Sequence, residues 1–183
     1  MTPILSENRK TGISLNMPIE ETCEKSCPFY QNRKCYGMKN TFRFKETIAA
    51  NKYRFMLYKL NPTAYFLCLE AELATKPPRY VRINGVGDTP DKAWAERFVE
   101  LARRHKSIKF WVSTRKSFWN DVWLPKNVVV RFADGLTGEH TSNVVYTTEQ
   151  ATCPATTKEA KNCGECGWKC WDAKVKHVSY KKH

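Results

Sequence analysis

The spacing of apolar residues changes along the chain, and each change marks an element. Residues 11–17 (TGISLNM) alternate between apolar and polar as a first strand does. From Thr41 to Leu60 the period lengthens. Ile48, Ala49, Tyr53, Met56, Leu57 and Leu60 fall on one stripe, which predicts a helix with that face on a core. Asn61-Pro62 ends this helix and starts another, since asparagine caps well and proline suits the first helical position. The second helix extends to Thr75 and directs Tyr65, Cys68, Leu69 and Leu73 inward.

Beyond Pro77-Pro78 a β–α–β–α–β rhythm begins. Tyr80 to Asn84 (YVRIN) reads as a strand and leads into the turn Gly85-Val86-Gly87-Asp88. Thr89 caps and Pro90 opens a helix to His105, with Trp94, Phe98, Leu101 and Ala102 on its apolar stripe. Ser107 to Ser113 (SIKFWVS) is the next strand, a short helix covers Lys116 to Val122, and Val128 to Phe132 (VVVRF) is another strand. Single helices between strands imply parallel pairing with right-handed crossovers. Four such strands precede residue 135, too few for a closed eight-stranded barrel. The predicted fold is therefore α/β, a partial or open parallel barrel-like sheet with a cysteine-rich, loop-rich C-terminal appendix. Asn143 to Thr147 adds a strand, and Lys174 to Tyr180 is a closing strand or a tail. One domain is expected: a loose lead-in over 1–10, an α/β core over 11–148, the cysteine-rich segment over 149–172, and residues 173–183 beyond it.

Composition narrows the class. Hydrophobic residues at 42% exclude wholesale disorder. No apolar run reaches the ~20 residues of a membrane-spanning helix, so no membrane role is expected. The N-terminus, MTPILSENRK, lacks a secretory pattern, which places the chain in the cytosol, where thiols stay reduced. The net charge of +13 is spread along the chain apart from a basic tail (Lys174, Lys176, Lys181, Lys182). It suits contact with nucleic acid, or simply solubility.

Seven of the eight cysteines fall in two groups, whereas core packing would scatter them. Close spacing brings several thiolates to one centre, so the chain reads as a metal-binding protein. The later group, Cys153, Cys163, Cys166 and Cys170, fits a 4Fe-4S iron–sulfur cluster or a structural zinc ion. Three ligands bunched within eight residues, with Pro154 after Cys153, resemble cubane ligation more than a zinc ribbon. The earlier group, Cys23, Cys27 and Cys35, supplies three thiolates. On a second cluster that leaves one iron open to a small molecule, for which S-adenosylmethionine is a candidate. Gly85, Gly87, Asp88 and Arg115 follow predicted strands, where α/β sheets gather ligands. The alternatives are local: turn glycines, Asp88 capping the next helix, and Arg115 paired with a carboxylate. Cys68 belongs to the core, and the histidines show no ligand spacing.

Ser26-Cys27-Pro28, Cys35-Tyr36, VRINGVGD (81–88), FWVSTRKS (110–117), Cys153-Pro154 and CGECGWKCW (163–171), in that order, resemble the bacteriophage gene product 88 family. The resemblance spans roughly residues 12–171 and implies a phage-encoded, cysteine-rich α/β protein in the cytoplasm of the infected host cell. More distantly, three cysteines after the first strand and a glycine-rich acidic turn after the second are similar to radical S-adenosylmethionine enzymes, which are partial TIM barrels. Three functional classes remain: an iron–sulfur protein with redox or radical chemistry, a zinc-stabilised basic protein binding nucleic acid, and a metal-stapled binder of a host protein.

Overall fold

The computed structural model describes residues 2–182. The chain opens with a hairpin in which β1 (Leu5–Asn8) pairs antiparallel with β2 (Gly12–Leu15). Two single-turn helices follow, α1 (Ile19–Thr22) and α2 (Pro28–Gln31), and then two 3-10 turns. Next come α3 (Lys45–Leu60), α4 (Pro62–Thr75), β3 (Tyr80–Ile83), α5 (Lys92–Arg104) and β4 (Lys109–Thr114). After a 3-10 turn at Ser117–Asp121 the chain forms β5 (Val128–Ala133), β6 (Thr141–Val145), α6 (Pro154–Thr157) and β7 (His177–Lys181).

The seven strands lie side by side in chain order, and β2 to β7 are all parallel. The sheet is mixed, mostly parallel and open, with β1 and β7 at its edges. A parallel pair ordinarily needs a crossover of a dozen or more residues. The link from β5 to β6 is far shorter because the two strands are staggered. Only Phe132 and Ala133 pair with Thr141 and Ser142, so the chain need not return along the sheet.

Alternation along the strands gives the sheet two buried faces. Leu15, Val81, Ile83, Phe110, Val112, Val128 and Val130 pack against Tyr65, Leu69, Leu73, Trp94, Phe98 and Leu101 of α4 and α5. Trp111 and Val178 point the other way, with Tyr80 and Tyr180 beside them, and meet Cys153, Cys163, Cys170, Trp168 and Trp171. The cysteine-rich segment is thus the crossover from β6 to β7. It covers the second face as a layer, where an appendix was expected.

Several expectations are corrected. Residues 5–8 form a strand where a loose lead-in was expected, because Glu72 accepts from the Ile4 and Leu5 amides at 2.7 and 2.8 Å. Of the two readings of Lys174 to Tyr180, a closing strand or a tail, the strand is the one formed, over His177–Lys181. The cap of α5 is Asp91, which accepts from the Trp94 amide at 2.9 Å. Thr89 instead accepts from the Trp119 indole and the Asn84 amide, both at 3.0 Å. Most of the apolar stripe of α3 faces outward: Met56 is 49% and Leu60 78% exposed, while Leu57 packs on the core and Asn51, Arg54 and Tyr58 are buried. Arg54 donates to Pro3 O at 3.0 Å and to Asn51 Oδ1 at 2.7 Å, and these polar contacts share the inward side of the helix with Tyr58.

Gly87 sits at φ +75°, and a Cβ there would lie 2.3 Å from Met17 O. An L-residue pays about 1–2 kcal/mol for that conformation before any clash. Gly87→Ala is therefore expected to lower unfolding free energy by at least about 2 kcal/mol, read by urea denaturation. An unchanged midpoint would show that this turn relaxes freely.

Candidate metal–thiolate site

The first thiol group lies at the carboxyl edge of the parallel strands. Cys23 follows α1 just beyond β2, and Cys27 and Cys35 flank α2. Cys23 lies within electrostatic range of Asp88, Cys35 and Cys27, and burial, followed by those neighbours, pushes its thiol up to about 12. Burial also raises Cys35, partly offset by the backbone amides of Gly37 and Met38. Tyr36, next in the chain, donates its hydroxyl to Gly85 O and accepts from Arg82 Nη2 at 2.9 Å. Tyr36 is 46% exposed, yet burial still raises its phenol above the ordinary value.

The strand-end residues singled out in the sequence gather here. Gly85 comes so close to Asn16 that a Cβ would lie 2.3 Å from Oδ1. Asp88 is buried, which pushes its carboxyl up to about 6 against hydrogen bonds that favour the charged form. Its Oδ1 accepts from Thr114 Oγ1 and Thr89 N, both at 2.7 Å, and from Asn84 Nδ2 at 3.1 Å; its Oδ2 accepts from Arg115 N at 2.8 Å. The carboxylate thus knots the ends of β3 and β4 together, and it is not the helix cap. Arg115 pairs with Asp134 at 2.8 Å, and Lys116 pairs with Glu24 at 2.5 Å. An open cleft of about 570 Å³ lies alongside, lined by Glu24, Ser26, Asp91, Arg115 and Lys116.

The second group is buried between the sheet and the cysteine-rich layer. Cys153, Cys163, Cys166 and Cys170 are all at most 9% exposed, and all eight cysteines are free thiols. Cys153, Cys166 and Cys170 line a cleft of about 220 Å³ beside Val178. Burial, then Cys170 and Cys166, pushes Cys163 up to about 12. Burial also raises Cys170 to about 11, although Tyr180, whose hydroxyl lies 3.3 Å from Sγ, opposes the shift. The sulfurs of each group therefore feel one another's charge. Among the described residues, however, no three His, Cys, Asp or Glu side chains stand in ligand geometry around one point.

Two arginines face this layer, and sequence reasoning did not single them out. Arg131 is fully buried. Its Nε donates to Cys170 O at 2.9 Å, and its Nη2 donates to Lys169 O, Asp172 O and Val175 O at 3.2, 3.1 and 2.7 Å. Arg82 stacks over Trp111 at 4.6 Å and reaches Tyr36. Burial works against its charge, while Tyr36, Tyr180, Cys170 and Cys163 favour it and leave it above its ordinary value. Among the described residues neither guanidinium lies within ion-pair distance of a carboxylate. Asp172 acts on Arg131 only from further away. Arg82 Nε, Arg131 Nη1 and Trp111 Nε1 are buried donors without an acceptor. The available signal was an arginine interrupting an apolar strand, in YVRIN and again in VVVRF.

A buried cation without a counter-ion is costly; four carbonyl acceptors offset part of that cost at Arg131, and Arg82 is only half-buried, so negative charge brought into this layer would be favoured. Four thiolates around a divalent zinc ion, or around an oxidised four-iron cubane, carry two net negative charges. Two arginines would balance that charge. In type and number the four thiols suit a metal–tetrathiolate group, but as they lie they do not stand in ligand geometry. Arg131→Met removes four bonds from the cysteine-rich backbone and is expected to cost about 3 kcal/mol, read by urea unfolding with tryptophan fluorescence. An unchanged midpoint would show that the clamp contributes nothing net.

A family model described as gene product 88 matches residues 4–179. No curated protein and no solved structure matches the chain. Among the described residues, no helix is long and apolar enough to cross a membrane.

Proposed function

The chain belongs to the gene product 88 family, and we propose that it is a phage-encoded iron–sulfur protein acting in the cytoplasm of the infected host. In this reading Cys153, Cys163, Cys166 and Cys170 hold a closed cluster, and Cys23, Cys27 and Cys35 hold a second with one iron open. The observation that carries it is a pair of arginines beside buried thiols, Arg131 fully buried and Arg82 half-buried, neither within ion-pair distance of a carboxylate among the described residues. Bound clusters supply one-electron chemistry, and an open iron supplies a site for a substrate or for S-adenosylmethionine.

The chain's own residues have separable roles. Arg131 fixes the backbone of the cysteine-rich layer, and Trp111, Trp168 and Trp171 exclude water from it. Arg82 and Tyr36 join the two thiol groups by one hydrogen bond, which holds Cys35 near the strand ends. Asp88 fixes the loop to which Arg115 belongs. Likeness to radical S-adenosylmethionine enzymes rests on placement alone. Here seven residues separate Cys27 from Cys35, and Tyr36 follows the last cysteine.

Structural zinc meets the same charge requirement, and with it the +13 surface would serve a nucleic acid or a host protein. Anaerobic purification with iron, sulfide and zinc counts separates the readings. Iron and sulfide in equal amounts, with a paramagnetic signal on reduction, are expected; added S-adenosylmethionine should alter that signal if the second cluster has an open iron. A colourless protein with stoichiometric zinc overturns the iron reading, and a metal-free protein overturns both.

The raised thiols set the pH response. Binding must displace protons from at least Cys163 and Cys170 at neutral pH. Zinc titrated into the metal-free chain should release two or more protons per ion, and affinity should fall about a hundredfold or more per pH unit on acidification. Because folding raises both thiols above their ordinary value of 9.0, the metal-free fold should keep this contribution below pH 9. It should then lose stability as the pH rises toward 11. A flat alkaline profile would show that the thiols are not buried together.

A further inference from the structure

We propose that α3 is a docking surface for an acidic amphipathic helix of another protein, which pairs with it in the manner of a short coiled coil. The proposal is independent of the metal reading, since none of the seven clustered cysteines lies on α3.

The helix carries two apolar faces: Tyr58, with Phe55 and Leu57 beside it, packs on the core, and a second stripe is left in solvent. Asn51 and Arg54 are buried, while Tyr53, Met56 and Leu60 are 36, 49 and 78% exposed. Six of the nine large apolar side chains exposed on the described surface fall between residues 36 and 60. Bonds to Pro3 O and Asn51 account for the burial of Arg54, but no described residue covers the exposed apolar stripe, and a contiguous stripe of this kind marks an interaction surface.

The exposed residues have a register. Ala49, Tyr53, Met56 and Leu60 are spaced four, three and four apart, the a/d seam of a two-heptad coiled coil. Lys45, Lys52 and Lys59 recur at seven-residue intervals and flank that seam at the same heptad position each time. All three are exposed, and Lys59 reaches Asp91 only at 3.8 Å with half its side chain in solvent. The charge is concentrated here: residues 33–60 carry eight lysines and arginines and a single acid, Glu46. This corrects the expectation of a charge spread evenly outside the tail.

Charge and shape choose the occupant. In an antiparallel pair of two copies the lysine rows would face each other. In a parallel pair they would face Ala50 and Leu57, which offer no charge. Met56 and Leu60 give no flat surface for base stacking and gain nothing from a phosphate backbone. On a membrane-surface helix the apolar face is continuous, whereas Lys52 here interrupts Ile48 and Met56. A helix with leucine or isoleucine on its own seam and glutamate along the edge facing the lysines satisfies both the apolar and the cationic rows.

The test uses the full chain and a labelled three-heptad peptide with leucine on the seam and glutamate at both flanking positions. Fluorescence anisotropy should show binding that weakens with salt, and hydrogen exchange should show protection within residues 45–60. Met56→Glu with Leu60→Glu, both at exposed sites, should weaken binding about tenfold or more with the thermal midpoint unchanged. The triple change K45Q/K52Q/K59Q should remove most of the salt dependence. Four results would overturn the proposal. The same peptide with lysine for glutamate could bind equally well, or a poly-dT oligonucleotide or anionic vesicles could protect residues 45–60 where the peptide does not. Sedimentation could show a dimer that Met56→Glu dissolves, or the glutamate peptide could fail to bind.

Discussion

A guanidinium at the centre of a sheet holds the second half of this molecule in place. Arg131 stands on β5, fully buried, and spends its donors on carbonyl oxygens of Lys169, Cys170, Asp172 and Val175. Those four acceptors lie in a segment with almost no regular structure of its own. Without an internal ladder such a stretch must satisfy its backbone elsewhere, and Arg131 provides that on the inner face of the sheet. Trp171 adds a bond from its indole to Val81 O at 2.9 Å. The clamp helps order the layer that carries the four buried thiols.

The clamp has an electrostatic consequence. Arg131, fully buried, and Arg82, half-buried, bring two positive charges beside thiols whose burial favours the protonated form, and among the described residues no carboxylate lies within ion-pair distance of either. In the proposed reading, charge balance would come from the thiols themselves once a bound metal displaced their protons. In the proposed metal reading the same arginines would link folding of the layer to metal binding, and Arg82 reaches toward the first thiol group through its hydrogen bond to Tyr36. At that other end the carboxylate of Asp88 gathers donors from two strand ends and positions the loop that carries Arg115.

Much of the fold was legible because its signals are local. Asn61 caps α4 as its position before Pro62 implies, accepting from the Ala64 amide at 2.9 Å. The strands around Val81, Phe110 and Val130 follow from apolar runs between turns. The same local reasoning put the cap of α5 at Thr89, where the nearby Asp91 competes better. It also misplaced the face of α3. The spacing of Tyr53, Met56 and Leu60 establishes a stripe, but spacing does not say whether the surface it meets belongs to this chain.

By itself the sequence determined the periodicities, the turns and the presence of two thiol groups, since each depends on residues a few positions apart. It also placed Arg82 and Arg131 in the middle of strands. Only the tertiary structure decided that both side chains turn toward the cysteine-rich crossover, and that Leu5–Asn8 joins the sheet through Glu72. Those outcomes depend on which surfaces come together across tens of residues. A contact of that kind is selected by the free energy of the whole packing, not by any pattern within one segment.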